Sequence, residues 1–315
     1  MRSLASSQET DNYSLENELD IRFDPYRLSA LGEKYLEQGV GFDISEMIGE
    51  RKFVVGIVPA TSEFADLAKS VETIRFAKQF KRSKSEVYRE YEKTDEDSLL
   101  IFTLDVQGCE TKPAGALRMI GYSDGKLQKS IQDLVVDDVD NPWIDEIKEL
   151  HFANGETYDQ NVAWKRLCKS IGVELKPEES YDVATVANHE EYSSNGSIDG
   201  VSLSLYHTCL RLALASNIKN LVSIQDIRPL GILQSFGDPF DTFPGLNPHP
   251  YGGPYDTIPA VSFLEDGMQR IRDNDEFMGS VFIDGLGLSD EFLLPDEYLP
   301  HYFSNRAVGL TEVTN

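Results

Sequence analysis

An arginine inside an apolar stretch is the residue whose chemistry the sequence makes most demanding. Arg118 lies within residues 114–120, an apolar run that predicts a strand. A guanidinium pointing into an apolar interior is costly unless a carboxylate meets it. That carboxylate could belong to a ligand held in bidentate fashion. Alternatively, the acidic stretch upstream of the strand supplies the carboxylate, and its candidate partners for Arg118 are Glu92, Asp95 and Asp97. A third possibility is that this stretch is simply a solvated loop.

A second pattern with chemical potential is a strand, a turn and a helix. Residues 181–187 are rich in β-branched types and predict a strand, whereas residues 201–216 predict a strongly apolar helix. The first turn of a helix carries N–H groups and a positive dipole end that suit a pyrophosphate. An ordinary strand-to-helix crossover fits the same spacing. On the phosphate hypothesis the contacts come from the turn and the helix start, at Asn195, Gly196, Gly200, Val201 and Ser202.

His189 directly follows the predicted strand, so its imidazole could act as a base or proton relay near neutral pH. A capping or surface role is the favoured interpretation of a histidine at this position. The sequence contains no GxSxG elbow, no GxGxxG fingerprint and no GxxxxGK[ST] loop. These absences argue against the common serine hydrolases, dinucleotide-binding proteins and P-loop proteins.

The elements that must position these residues form a mixed pattern. Helices and strands do not alternate regularly, which favours an α+β fold with a mostly antiparallel sheet flanked by helices. Residues 181–187 and 221–224, separated by the long helix, are expected to be a parallel pair. Asn217 is expected to end that helix in a left-handed conformation. The other predicted strands are residues 52–59, 99–104 and 114–120, and the other helices follow Ser62 or cover residues 228–235 and 263–272.

Two stretches carry a resemblance to a known family. DVATVANHEEYSSNGSIDGVSLSLYHTCLRLALASNIKNLVSIQD, continuing through RPLGILQSFGDPF, resembles the acyl-CoA-binding half of GNAT-related N-acyltransferases. Upstream, VYREYEKTDEDSLLIFTLDVQGCETKPAGALRMI is similar to the stretch shared by N-acyl amino acid synthases and acyl-homoserine-lactone synthases. The resemblance covers roughly residues 52–265. It implies a GNAT-like fold and acyl transfer from acyl-CoA or an acyl carrier protein to a small amine such as an amino acid.

The resemblance also implies roles for particular residues. The acidic triplet Glu92, Asp95 and Asp97 corresponds to carboxylates that shape the amine pocket, and Arg118 to the arginine on the next strand. Donors for the developing oxyanion are expected around Val186, Ala187 and Asn188. One departure concerns the turn, which is longer than usual and holds no cation. An ordinary acetyltransferase and a catalytically inactive binding or regulatory protein therefore remain alternatives.

Composition limits the partners. The 54 acidic side chains against 29 Lys and Arg give a net charge of −25, which disfavours nucleic acid and anionic membranes. No run of about 18 apolar residues and no signal-peptide pattern is present, so a cytoplasmic location is expected. The three cysteines and five histidines lack metal-ligand spacing, and no metal is expected. The expected organisation is an acidic flexible tail over residues 1–22, a GNAT-like domain over 23–265 and a helical extension over 266–315.

Overall fold

The computed structural model describes residues 13–38, 42–43, 53–122, 127–192, 200–237 and 239–284. Their contacts divide the chain into two compact units. The first unit comprises the described parts of residues 1–118 and 185–206. The second unit comprises those of residues 119–184 and 207–286. Strands β4 and β5 and helix α8, defined below, each contribute residues to both units.

The first unit contains a sheet with strands in the order β1-β2-β3-β4-β5. Strands β1 and β2 pair in antiparallel fashion, as do β2 and β3 over seven residue pairs from Phe53↔Asp105 to Pro59↔Leu99. The elements, in chain order, are α1 (residues 13–22), α2 (Pro25–Leu36), β1 (Phe42–Asp43), β2 (Phe53–Pro59), α3 (Ala65–Phe80), α4 (Lys84–Glu92), a 3-10 turn (Asp95–Asp97), β3 (Ser98–Asp105), β4 (Lys112–Ile120), the end of β5 (Ser180–Asn188) and the start of α8 (Gly200–Ala215).

Helix α3 packs its apolar residues into the core of the first unit. Leu67 and Val71, four residues apart, belong to one buried cluster with Leu100 and Phe102 of β3. The helix ends at Lys81, whose left-handed backbone (φ 55°) closes the last turn. Helix α4 then starts with a capping box between Ser83 and Glu86.

The structure corrects the expectation of a flexible tail over residues 1–22. Residues 13–22 form helix α1, and Leu19 is completely buried. Leu15, Leu19 and Phe23 recur every four residues, and all three contribute to the same apolar cluster as α3. The acidic composition of this segment concealed a narrow apolar stripe. Residues 1–12 lie outside the described ranges.

The second unit contains strands in the order β5-β6-β9-β7, with β8 also pairing with β9. Strands β6 and β9 form seven antiparallel pairs, and the buried cluster beside them includes Trp143, Leu167, Val222 and Val261. The elements are α5 (Lys129–Val135), α6 (Ile144–His151), α7 (Gln160–Ser170), the start of β5, the end of α8, β6 (Asn220–Asp226), α9 (Ile227–Ser235), β7 (Asp241–Thr242), β8 (His249–Pro250), β9 (Asp256–Phe263), α10 (Leu264–Asn274) and α11 (Glu276–Gly279).

The predicted strand–helix–strand unit is confirmed. Strands β5 and β6 run parallel, with Ser180–Asp182 opposite Asn220–Val222. Helix α8 lies between them in sequence and is followed by Asn217 in the expected left-handed conformation (φ 53°). The predicted mixed, mostly antiparallel sheet flanked by helices is likewise confirmed. The chain after residue 263 is helical through Ser280–Asp284, and residues 285–315 lie outside the described part.

Candidate functional site

A buried cluster of charged side chains surrounds Arg118. This side chain is only 1% exposed. Its Nε donates to Glu72 Oε1 at 3.0 Å and its Nη2 to Glu72 Oε2 at 2.7 Å, which makes a bidentate pair. Its Nη1 donates to Asp95 Oδ1 at 2.8 Å. The guanidinium is therefore met by two carboxylates of the protein itself.

Two further side chains complete this charge cluster. Lys69 forms an ion pair with Asp95, and Thr185 Oγ1 on β5 donates to Glu72 Oε1 at 2.5 Å. Two cations thus face two anions. Burial lowers the pKa of Arg118, but Glu72 and Asp95 raise it above the ordinary arginine value, so the guanidinium stays charged.

The cluster arises from a polar stripe on α3. Asp66, Lys69 and Glu72 are spaced three residues apart, which places them along one side of the helix, and all three are buried. Asp66 pairs in turn with Arg22 of α1 (2.5 Å) and Arg27 of α2 (3.0 Å). The stripe therefore ties α3 to the N-terminal helices as well as to β4.

Sequence reasoning identified part of this cluster. Asp95 is a partner of Arg118, as predicted, whereas Glu92 is exposed on α4 and Asp97 is half-buried in the 3-10 turn. In the described part of the chain the guanidinium pairs with Asp95 and with Glu72, which the sequence analysis missed. Charged residues recur every three positions along α3, at 66, 69, 72, 75 and 78, and this spacing was the available signal.

The strand–turn–helix pattern is held together by a close approach of α8 to β4. A Cβ atom on Gly115 would come within 2.4 Å of Val201 Cγ1 and 3.0 Å of Leu205 Cδ1. Asn188 Nδ2 donates to Ser202 Oγ at 2.6 Å and links the end of β5 to the first turn of α8. Glycine at position 115 therefore sets the position of the helix N-terminus.

The proposed donor-contacting residues divide into two groups. Ala187 and Val201 are buried and pack in the core, so only their backbone groups could reach a ligand. Partly exposed residues are Val186, Asn188, Gly200 and Ser202. Asn195 and Gly196 lie in residues 193–199, outside the described ranges.

The start of the turn after β5 is anchored at two points. Tyr192 donates its hydroxyl to Asp105 Oδ2 at 2.8 Å. Glu190 pairs with Lys78 (2.5 Å) and Arg75 (3.7 Å) on α3. Both of these cations of α3 are thus paired with Glu190.

His189 does not join the charge cluster. Its backbone N–H donates to Ala114 O at 2.8 Å, and its ring lies beside Tyr192 with centroids 6.0 Å apart. Because Ala114 precedes Arg118 by four residues, the two positions are separated by about 13 Å along β4. His189 and Arg118 therefore belong to different parts of the first unit.

Within the described ranges, no group of three or more His, Cys, Asp or Glu side chains is arranged to hold a metal ion. In the same ranges, no helix has both the length and the apolar character required to cross a membrane.

The sequence matches no protein-family model and no curated protein. Solved structures with some similarity include FeeM, an N-acyl amino acid synthase from uncultured soil microbes, at 12% identity with a TM-score of 0.43 over 70% of this chain and 94% of that one. The CoA-dependent acyl-homoserine lactone synthase BjaI has 11% identity and a TM-score of 0.38, over 70% of this chain and 87% of that one. A putative N-acetyltransferase from Lactobacillus plantarum has 9% identity and a TM-score of 0.39, over 67% of this chain and 98% of that one. Similarities this weak determine neither activity nor substrate.

Proposed function

We propose that the protein is an N-acyltransferase that moves an acyl group from acyl-CoA or an acyl carrier protein to the amine of a small acceptor such as an amino acid. The observation that supports this most directly is the β5–α8–β6 unit. Its parallel ladder has only three residue pairs and lies beside the long antiparallel pair β6–β9. A strand followed by a turn and a long helix is the arrangement that the sequence resemblance implies for an acyl-CoA-binding site.

The chemistry of this transfer places few demands on the protein. A neutral amine attacks the thioester carbonyl, the C–N bond forms and the C–S bond breaks. The nitrogen gives up one proton, and the departing thiolate takes one up. The carbonyl oxygen becomes negatively charged on the way, and strand N–H groups can stabilise that charge. Backbone groups of Val186, Ala187 and Asn188 at the end of β5 are our candidates for this role.

The donor's phosphates are expected at the start of α8. The helix has 16 residues from Gly200 to Ala215, so its N-terminal N–H groups and dipole favour an anion. Asn188 and Ser202 are hydrogen-bonded to each other at this end of the helix and are partly exposed. Asn195 and Gly196 are retained as candidate contacts from the sequence alone.

Acceptor binding is assigned to the acidic residues that the protein does not use for Arg118. Glu92 is exposed and Asp97 is half-buried, so either carboxylate could orient an ammonium group. We retain His189, partly exposed beyond β5, as a candidate proton relay. For Asp95 and Arg118, which pair with each other, we favour a supporting role: together with Glu72 and Lys69 they fix β4 and the 3-10 turn against α3.

Thermal unfolding in the presence of acetyl-CoA, a long-chain acyl-CoA series and free CoA tests donor binding. A specific donor should raise the melting temperature, because it binds only the native state. Release of free thiol that depends on an added amino acid then tests transfer. A preference for acetyl-CoA would favour an ordinary acetyltransferase. The proposal fails if no acyl-CoA and no acyl carrier protein gives either signal.

The donor position is tested by Gly115→Ala with Gly108→Ala as its matched control. An alanine at position 115 would push Val201 and shift the first turn of α8, whereas at position 108 the nearest atom would be 3.8 Å away. We expect weaker donor binding for Gly115→Ala and unchanged binding for Gly108→Ala. Equal donor affinity in the two folded variants would place the donor elsewhere.

A further inference from the structure

The hydroxyl of Thr185 joins the buried charge cluster to the end of β5. Thr185 is buried, and its Oγ1 donates to Glu72 Oε1 at 2.5 Å. Glu72 is itself held in place, because its two oxygens accept hydrogen bonds from Arg118 at 3.0 and 2.7 Å. One side chain of β5 is thus bonded to a carboxylate whose position is fixed by a bidentate pair.

The ladder between β5 and β6 ends shortly before Thr185. Its three residue pairs cover Ser180–Asp182, and none of the described pairs lies beyond them. Residues 183–188 therefore extend past this ladder. On the opposite edge of the strand, the His189 N–H donates to Ala114 O of β4 at 2.8 Å. Because the backbone ladder with β6 does not hold this end of β5, side-chain contacts contribute more to its position.

The hydrogen bond of His189 also indicates where the preceding N–H groups point. Successive N–H groups of a strand point to opposite edges. The His189 N–H points to β4, so the Val186 N–H, three residues earlier, points to the other edge, past the end of the ladder with β6. The Val186 nitrogen belongs to the same planar peptide group as the Thr185 carbonyl. A bond that fixes Thr185 therefore also fixes the direction of the Val186 N–H.

Neither packing nor charge balance explains the hydroxyl at position 185. Thr185 and Ala187 are buried on one face of β5, and Ala187 packs in the apolar cluster that contains Leu67 of α3. A valine would suit that environment as well as a threonine. Glu72 already accepts two charge-assisted hydrogen bonds from Arg118, so the charge cluster remains balanced without the hydroxyl. What the hydroxyl adds is a directional link between α3 and the end of β5.

We propose that Thr185 is a positioning residue for acyl transfer, an inference that rests on the proposed function. Its bond to Glu72 holds the Val186 N–H in the direction in which it stabilises the oxyanion that forms when the amine attacks the thioester. A donor whose position is set before the reaction stabilises such a charge best, because no reorganisation is required in the transition state. The charge cluster around Arg118 thus acts on the reaction through Thr185.

The kinetic test uses Thr185→Val, with Thr103→Val as its matched control. Thr103 is a buried threonine of β3, and its Oγ1 lies 3.2 Å from Ser204 Oγ. With active enzyme, Thr185→Val should lower kcat by about 10-fold and leave the KM of donor and acceptor within about twofold, because only the transition state is affected. Thr103→Val should keep the wild-type kcat. Thr185→Ser retains the hydroxyl and should restore the wild-type kcat.

Equal kcat values for the two valine variants would overturn the proposal, as would a serine variant that is as slow as Thr185→Val. A loss that appears only in the KM values would also contradict it, because binding would then be affected rather than the transition state.

Amide hydrogen exchange tests the position of the strand end without any substrate. Peptides that cover residues 183–189 should exchange about 10-fold faster in Thr185→Val than in the wild type, and at the wild-type rate in Thr103→Val. Unchanged exchange in Thr185→Val would show that the hydroxyl does not fix this segment.

The two experiments together separate this inference from the proposed function. If transfer occurs and kcat does not respond to Thr185→Val, the acyltransferase function stands and the positioning role is wrong. If exchange becomes faster but no thioester donor is used by the wild type, Thr185 fixes the strand end and acyl transfer is wrong.

Discussion

The two units differ in how completely their buried charges are hydrogen-bonded. In the first unit, Arg118 is satisfied by Glu72 and Asp95, and Lys69 completes a balanced set of four charges. In the second unit, Asp182 is fully buried and uses one oxygen for Ser130, while its other oxygen has no partner in the described part of the chain. We call the first set closed, because each of its charges is paired within the protein. In the second unit, one oxygen of Asp182 can still accept a hydrogen bond.

This difference suggests that burial of a charge alone does not identify a functional residue. A closed set of ion pairs fixes neighbouring elements, and its members have little capacity left for a ligand. A buried acceptor without a donor is costly in the absence of a ligand, and it is retained most readily where a ligand satisfies it. By this criterion Arg118 is a weaker candidate for ligand binding than its position in an apolar strand suggested.

The largest effect is expected from Glu72→Ala. The substitution leaves the buried guanidinium with Asp95 as its remaining carboxylate, and removing one partner of a buried pair costs about 3–5 kcal/mol. Denaturant unfolding should show this loss in the free energy of unfolding. Glu63→Ala is the matched control, because Glu63 forms an exposed pair with Lys34 and such pairs contribute about 0–1 kcal/mol. Similar losses in the two variants would contradict the closed cluster.

Next in size is the pH dependence contributed by Asp182. Its pKa of about 6 in the folded protein exceeds the ordinary value of 3.8, so the folded state holds this proton more tightly than the unfolded state. The wild type should therefore lose stability relative to Asp182→Asn as the pH rises from about 4 to about 6. This rise in the pKa, from 3.8 to about 6, corresponds to about 3 kcal/mol of stability at neutral pH. A pH-independent difference between the two proteins would show that Asp182 does not titrate in this range.

A smaller loss, about 2 kcal/mol, is expected for Arg118→Lys. Lysine keeps the charge but cannot make the bidentate contact with Glu72 while also reaching Asp95. The melting temperature should fall, and the acceptor KM of the active enzyme should stay within about twofold. A large rise in the acceptor KM with unchanged stability would instead restore Arg118 as a ligand for an acceptor carboxylate.

The local patterns of the sequence predicted much of the fold and less of the site. The unit of β5, α8 and β6 was predictable because β-branched residues, an apolar helix and Asn217 each signal their own conformation. Arg118 was predictable as a group that needs a partner. Glu72 was missed because it lies 46 residues before Arg118 in a helix, and residue types alone do not specify which helix covers which strand.

Asp182 was missed for a different reason. A single acidic residue within a β-branched run is compatible with an exposed strand face, and only the three-dimensional packing buries it against Ser130. Helix α1 was missed because the many acidic residues outweighed the leucines at positions 15 and 19. Long-range packing, in each case, supplied what the sequence pattern lacked.

The smallest effect is expected from Thr185→Val. Valine has nearly the same shape and suits strand β5, but it cannot donate to Glu72 as the threonine hydroxyl does at 2.5 Å. Because Arg118 still donates two hydrogen bonds to Glu72, the loss should be only about 1 kcal/mol. If the hydroxyl acts through the charge of Glu72, the cost of Thr185→Val should shrink in a Glu72→Gln background. An identical cost in both backgrounds would mean that Thr185 contributes by packing alone, and the closed cluster would then end at Glu72.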